Sequence, residues 1–360
     1  MIQKLVELAI QIQQIPAPPF GEAPRAEFIR QRFIQERLSD VSQDEVGNVY
    51  ARLPGVSSGP PLVAVAHMDT VFPAGTDLEV RRQADRIHGP GLGDNSLGVA
   101  ALFGLIWLLR ERNLSLGGDL WLCADVGEEG LGDLRGMRGV VERFGSSVLA
   151  YLILEGLALG HVYHRAVGVR RYRITARTAG GHSWSDYGQP SAVHELARLI
   201  TQLTGLHVPV QPRTTLNVGV ICGGTTVNTL AAEAWCELDL RSEEPHALAV
   251  LVGEAERLVA AANRPGVSIQ ERVISQRPAG EMASDHRLVQ LAVDCLRAQG
   301  FDANLTCGST DANIPLSRGI PAVVLGVTTG GGAHSVREFI YIEPIQQGME
   351  QLVSFVSRAW

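Results

Sequence analysis

A chain of 360 residues is long for a single core and suits two domains. It is 45% hydrophobic and 19% charged, which excludes extended disorder, and a net charge of −7 leaves no basic footprint for nucleic acid. The five cysteines (Cys123, Cys222, Cys236, Cys295, Cys307) are scattered and lack C-x-x-C spacing, which fits reduced thiols in a cytoplasmic protein rather than disulfides or a thiolate metal site.

The N-terminal stretch MIQKLVELAIQIQQIPAPP predicts a helix over about 1–13, and without an uninterrupted apolar core it does not read as a signal peptide. A second helix at 22–38 leads to short strands near 47–53 and 61–67. The run DNSLGVAALFGLIWLLRER predicts a helix to about 112, with Asp94 and Asn95 as its N-cap. Its apolar centre is too short to span a bilayer and reads as a buried helix, so no membrane partner is expected. A strand at 118–126, a helix near 133–144 and a strand at 149–154 follow. Strands alternating with helices imply a mixed, largely parallel sheet sandwiched by helices, an α/β fold.

From about 165 to 275 the predicted order becomes strand, helix, two long strands, helix, strand. That is the split-βαβ order of a small α+β, ferredoxin-like layer. After 280 the alternation resumes, with a helix at 284–299, a strand at 320–325 and a final helix from about 343. The expected division is a catalytic domain in two parts, 1–164 and 276–360, with 165–275 inserted between them.

Acids and histidines recur where predicted strands give way to loops. PLVAVAHMDTVFPAG ends a strand in His67, with Asp69 on the same extended face, where it can hold the imidazole from behind. GPGLGDNSLG places Asp94 ahead of a helix, WLCADVGEEGLGD ends a strand with Glu128 and Glu129, LILEG ends another with Glu155, and TTGGGAHSVREF sets His334 after three glycines. In open parallel sheets the carboxyl edge is where ligands bind.

Charge then argues for cations. Like charges ~4 Å apart repel by about 4 kcal/mol at an effective dielectric of ~20, so Asp69, Asp94, Glu128, Glu129 and Glu155 cannot share a cleft unaided. Two divalent ions would neutralise them, with His67 and His334 as nitrogen ligands. Imidazole and carboxylate donors without thiolate favour zinc, with cobalt or manganese as alternatives. Adjacent glutamates at a strand end point different ways, so Glu129 can bind metal while Glu128 takes the proton of an activated water.

At these residues the sequence resembles the cocatalytic dizinc hydrolases that include peptidase T, carboxypeptidase G, acetylornithine deacetylase and succinyl-diaminopimelate desuccinylase. HMDTV, GLGDNSLG, GEEG, LILEG and GGGAHS occur in that family's order over essentially the whole chain. The resemblance implies a zinc-exopeptidase-like catalytic domain with an inserted lid and dimerisation domain. It implies that Asp94 bridges two metals, that His67 and Glu155 complete one site and Glu129 and His334 the other, and that Asp69 orients His67. Glu128 would be the general acid and base, and the peptide bond between Asp94 and Asn95 would be cis.

In the inserted domain, the resemblance gives His182 (TAGGHSWSDYG) an oxyanion-stabilising role, supplied in some relatives by a neighbouring subunit. Asn228 (GGTTVNTL) and Arg241 (CELDLR) correspond to substrate-binding positions, and Arg241 alternatively pairs with Glu243 or Glu244. Asn95, Ser96 and Leu97 depart from the Asp-Lys-Gly or Met-Lys-Gly of many relatives.

The expected function is hydrolysis of an amide bond in a small peptide by an exopeptidase, with a peptidase T-like aminopeptidase preferred. The alternatives are an N-acyl amino acid deacylase or a carboxypeptidase on the same scaffold and, outside enzymes, a non-catalytic binding protein. A homodimer through the inserted domain is expected. Nucleotide binding is disfavoured because G-x-G-x-x-G would need glycine where Ser96 stands.

Overall fold

The computed structural model describes residues 1–360. The chain divides into two compact units, one formed by Met1–Ala166 with Gly280–Trp360, the other by Val167–Ala279.

The first unit is built on a nine-stranded sheet. Its centre is four parallel strands in the spatial order Gly118–Asp125, Gly59–His67, Ala150–Glu155 and Ala322–Gly326. Their cores are continuous apolar runs with no alternation, as expected of strands covered on both faces, and Leu62 through Ala66 are fully buried. The flanks are antiparallel: Val49–Leu53 pairs with Gly118–Asp125 on one side, and His161–Ala166 with Ala322–Gly326 on the other. The sheet is therefore mixed but parallel where it matters, because the carboxyl ends of the central strands deliver His67, Asp125 and Glu155 to one edge.

Helix Leu97–Glu111 packs against strand Gly59–His67 and helix Ile2–Gln13. It is apolar on every side, as a helix buried within a large core must be. Together with the turn Leu92–Ser96 it makes a 20-residue apolar segment, longer than the sequence reading gave it, and it lies buried inside the protein. The expected N-cap is not formed: Asp94 (φ −115°, ψ 88°) is non-helical, and the helix begins at Leu97 without a side-chain cap. The Asp94–Asn95 peptide bond is cis.

A small second sheet was not foreseen. Arg81–Arg82, Arg86–His88, Phe339–Tyr341 and Gly330–Gly331 form four short antiparallel strands, with His88 opposite Phe339. It ties the loop before Asp94 to the loop carrying His334.

The second unit is a four-stranded antiparallel sheet in the order Thr214–Gly223, Glu233–Ser242, Gly168–Arg177, Ser268–Arg277. Chain order is strand, helix, strand, strand, helix, strand, the split-βαβ arrangement. Helices Ala192–Thr204 and Pro245–Ala261 bury Leu196, Leu199, Leu203, Leu251, Ala255 and Val259 against Ile174, Cys236, Leu238 and Leu240. Pro245 opens the second helix, and the Glu244 carboxylate caps it by accepting from the amides of His246 and Ala247.

Candidate active site

Five segments converge at the carboxyl edge of the parallel strands. His67, the last residue of its strand, is buried, and its Nε2 lies 3.2 Å from Asp94 Oδ1 and 3.7 Å from Glu155 Oε2. His334, on a loop at φ +62°, brings its Nε2 to 3.1 Å from Asp94 Oδ2 and 3.3 Å from Glu129 Oε1. The two oxygens of Asp94 thus face two different histidines.

Close packing sets these distances. A Cβ on Gly156 would sit 1.9 Å from the Gly93 carbonyl oxygen, so only glycine lets the end of the Glu155 strand meet the Asp94 turn. Asn95 fastens the same contact: its Nδ2 donates to the Leu154 carbonyl at 2.8 Å, and its Oδ1 accepts the Gly156 amide at 2.9 Å.

Asp69 touches both His67 and the glutamate turn. Its carboxylate lies 3.5 Å from His67 Nδ1, which is nearer the Asp69 backbone carbonyl at 3.2 Å. The carboxylate oxygens also accept the amides of Glu128 (3.0 Å) and Glu129 (2.8 Å). Asp69 therefore fixes the turn that presents both glutamates.

The residues form three overlapping donor sets, each with ligand atoms within 4.8 Å of one another: His67, Asp94 and Glu155; Asp94, Glu129 and His334; and His67, Glu128 and Glu129. The first two share Asp94 and match the pairing expected from the sequence. The third also brings Glu128 into reach of a cation.

Electrostatics supports cation binding. The ion-pair partners of Asp94, Glu129 and Glu155 are His67 and His334. Burial disfavours the His67 imidazolium, yet hydrogen bonds to Asp69, Asp94 and Glu155 outweigh it and hold its pKa well above the ordinary value. His334, hydrogen-bonded to Asp94 and Glu129, is pushed up to about 10. Burial would raise the Asp94 pKa, but the two histidines override it and lower it. The carboxylates thus favour positive charge at both imidazoles, where a divalent cation would sit. A set of three carboxylates and two imidazoles without thiolate fits such cations.

Further residues escaped the sequence reading. The Arg25 guanidinium is buried and donates to the carbonyls of Gln13, Ile15 and Met68, bracing the turn after His67. Asp125 and Asp311 are fully buried facing carboxylates whose oxygens no donor reaches. Burial holds both carboxyls well up. Asp311 lies in the turn between strand Asn304–Gly308 and helix Asn313–Ser317. Glu338, also buried, accepts backbone amides from the Asp94 loop.

His182, Asn228 and Arg241 belong to the second unit. There His182 pairs with Thr229 in a short two-stranded sheet, and the Ser183 amide donates to the Asn228 carbonyl at 3.0 Å, so the first two lie together. His182 is exposed, and its Nδ1 accepts the Trp184 amide at 3.2 Å, which leaves the proton of the neutral ring on Nε2. Arg241 pairs with Asp239 at 2.7 Å, two residues back on the same face of the strand.

The peptidase family M20/M25/M40 model matches residues 63–358. A tripeptidase from Staphylococcus aureus superposes with a TM-score of 0.85 at 22% identity, covering 100% of this chain and 98% of that one. Aminopeptidase PepT from Bacillus cereus gives 0.80 at 22% identity, covering 100% and 99%. A probable carboxypeptidase of Trichophyton verrucosum is 23% identical over 87% of this chain and 72% of its own length. At such identities the two solved structures establish the shared fold, whereas the family match spans most of the chain; the protein is a member of peptidase family M20/M25/M40, a metal-dependent hydrolase of that kind.

Proposed function

We propose that the protein is a dinuclear metal-dependent exopeptidase acting on short peptides, of the aminopeptidase type. The observation that carries this reading is the Asp94 carboxylate, whose two oxygens face His67 at 3.2 Å and His334 at 3.1 Å. That is the disposition of a carboxylate shared by two cations. His67 and Glu155 complete one site, and Glu129 and His334 the other. Zinc is the cation this donor chemistry favours.

Two bound divalent cations would supply Lewis acidity toward the scissile carbonyl and lower the pKa of the attacking water. Glu128 takes the proton from that water and returns it to the departing amine. Its backbone amide is anchored on Asp69, which sets where its carboxylate can reach. His182, with its proton on Nε2, is the donor proposed for the oxyanion, and the second unit is proposed to act as a lid. Asn228 beside it is the proposed substrate contact. Arg241, already paired with Asp239, binds a substrate carboxylate only if that pair opens.

The likeness to a tripeptidase and to PepT supports the aminopeptidase reading. The relative described as a probable carboxypeptidase favours a second one, in which the free carboxylate is recognised. Strand Thr214–Gly223 forms an edge of its sheet with Val220 and Ile221 exposed, which supports a homodimer by edge pairing. Five free cysteines support a cytoplasmic location.

The test is a panel of tripeptides, dipeptides with blocked amino or carboxyl ends, and N-acetyl amino acids, assayed with zinc, cobalt and manganese. Turnover that requires a free amine is the expected result. Cleavage of N-blocked peptides with a free carboxylate would replace the aminopeptidase reading by the carboxypeptidase one. Cleavage restricted to N-acetyl amino acids would make the protein a deacylase.

A further inference from the structure

Glu338 has no part in the donor sets, yet it is fully buried four residues beyond His334. Its Oε1 accepts the amides of Gly93 at 2.6 Å and Asp94 at 2.9 Å, and its Oε2 accepts the amide of Gly91 at 2.9 Å. Its backbone carbonyl accepts a fourth, from Gly89 at 3.0 Å. Segment Gly89–Asp94 is therefore wrapped around one residue of the His334 loop. The small sheet brings them together, since His88 and Phe339 lie opposite one another.

A buried carboxylate is costly, and here no arginine or lysine is among the groups hydrogen-bonded to it. A side chain kept at that cost is retained for what it holds. What it holds is the backbone of the one residue facing both histidines. Serine or threonine offers one oxygen. Glutamine offers one acceptor, and its NH₂ would confront the amides on the other side. A carboxylate alone has acceptors for three converging N–H groups.

We propose that Glu338 is a positioning residue that clamps the Asp94 turn to the His334 loop and thereby sets the spacing of the two metal subsites. The proposal rests on the dinuclear reading above. With the clamp in place, the Asp94 amide, its carboxylate and the His334 ring belong to one rigid block. Without it, the turn keeps the Asn95 bonds and the pairing of the small sheet but loses the acceptor of three of its amides.

The test compares wild type with Glu338→Gln and Glu338→Ala by zinc titration of the chelated protein, steady-state kinetics, thermal unfolding and amide hydrogen exchange. Residues that orient metal ligands typically contribute about 10- to 100-fold in metal affinity or activity. Glu338→Gln is expected to fold, to lose zinc affinity by that factor and to lower kcat with little change in KM. The amides of Gly91, Gly93 and Asp94 should exchange faster. A variant that melts lower but binds zinc and turns over as wild type would overturn the proposal, leaving Glu338 merely structural. A wild type that binds no zinc would instead remove the dinuclear reading. Exchange at the three amides would then judge the clamp alone, and unchanged protection in Glu338→Gln would overturn that too.

Discussion

Two adjacent glutamates hang from one aspartate, and their amides are held at 3.0 and 2.8 Å by the same carboxylate. Their backbones are thus equivalent, and only side-chain direction separates their tasks. Glu129 reaches His334, whereas Glu128 joins a donor set only with His67 and Glu129. Glu128→Gln should therefore abolish turnover and keep close to two equivalents of metal, while Glu129→Gln should lose metal from the Asp94–His334 site. Metal analysis beside the peptide assay reads both, and metal loss in the Glu128 variant would reverse the assignment. At this scale the donors that come together were legible, because each follows an apolar strand or a glycine-rich turn. Glu338, Arg25 and Asp311 were not. The partners of Glu338 are backbone amides 244 to 247 positions away, and no local pattern encodes those.

Among elements, the central strands could be read because they are uninterrupted apolar runs, and the helices because their periodicity survives to the end. The short strands around His88 and Phe339 carry no such signature; a two- or three-residue strand has too few side chains to alternate. The supposed N-cap at Asp94 misled for a related reason, since local sequence cannot tell a capping aspartate from one recruited by distant histidines. Asn95 does the joining instead, holding the end of strand Ala150–Glu155 through two buried hydrogen bonds. Asn95→Ala would leave the Leu154 carbonyl and the Gly156 amide unpaired. Each such group costs about 1–3 kcal/mol, so a loss of that order should appear in chemical denaturation of the metal-free protein. A wild-type midpoint would mean that the strand end is held by packing alone.

For the molecule as a whole, the two units have separate cores, and each can be perturbed by itself. In the second unit, Glu195 bridges Arg198 and Arg264, each at 2.6 Å, linking helix Ala192–Thr204 to the turn before strand Ser268–Arg277. Burial works against that carboxylate, but hydrogen bonds to both arginines outweigh it and lower its pKa below the ordinary 4.5. A depressed acid pKa stabilises the fold above the unfolded value and loses that contribution as pH falls through the folded one. Glu195→Gln should consequently melt below wild type at neutral pH, and the gap should narrow progressively under pH 4.5. A gap constant with pH would assign the effect to packing.

The Asp94 triad with His67 and Glu155 is complete within the first 155 residues, whereas the triad with Glu129 waits for His334, which follows the second unit in the sequence. Synthesis from the N-terminus therefore supplies the ligands in two instalments, separated by almost half of the polypeptide. The centre is finished only when the last stretch of chain docks, so a ribosome that stops early releases a product with a single half-site and no means of joining two ions.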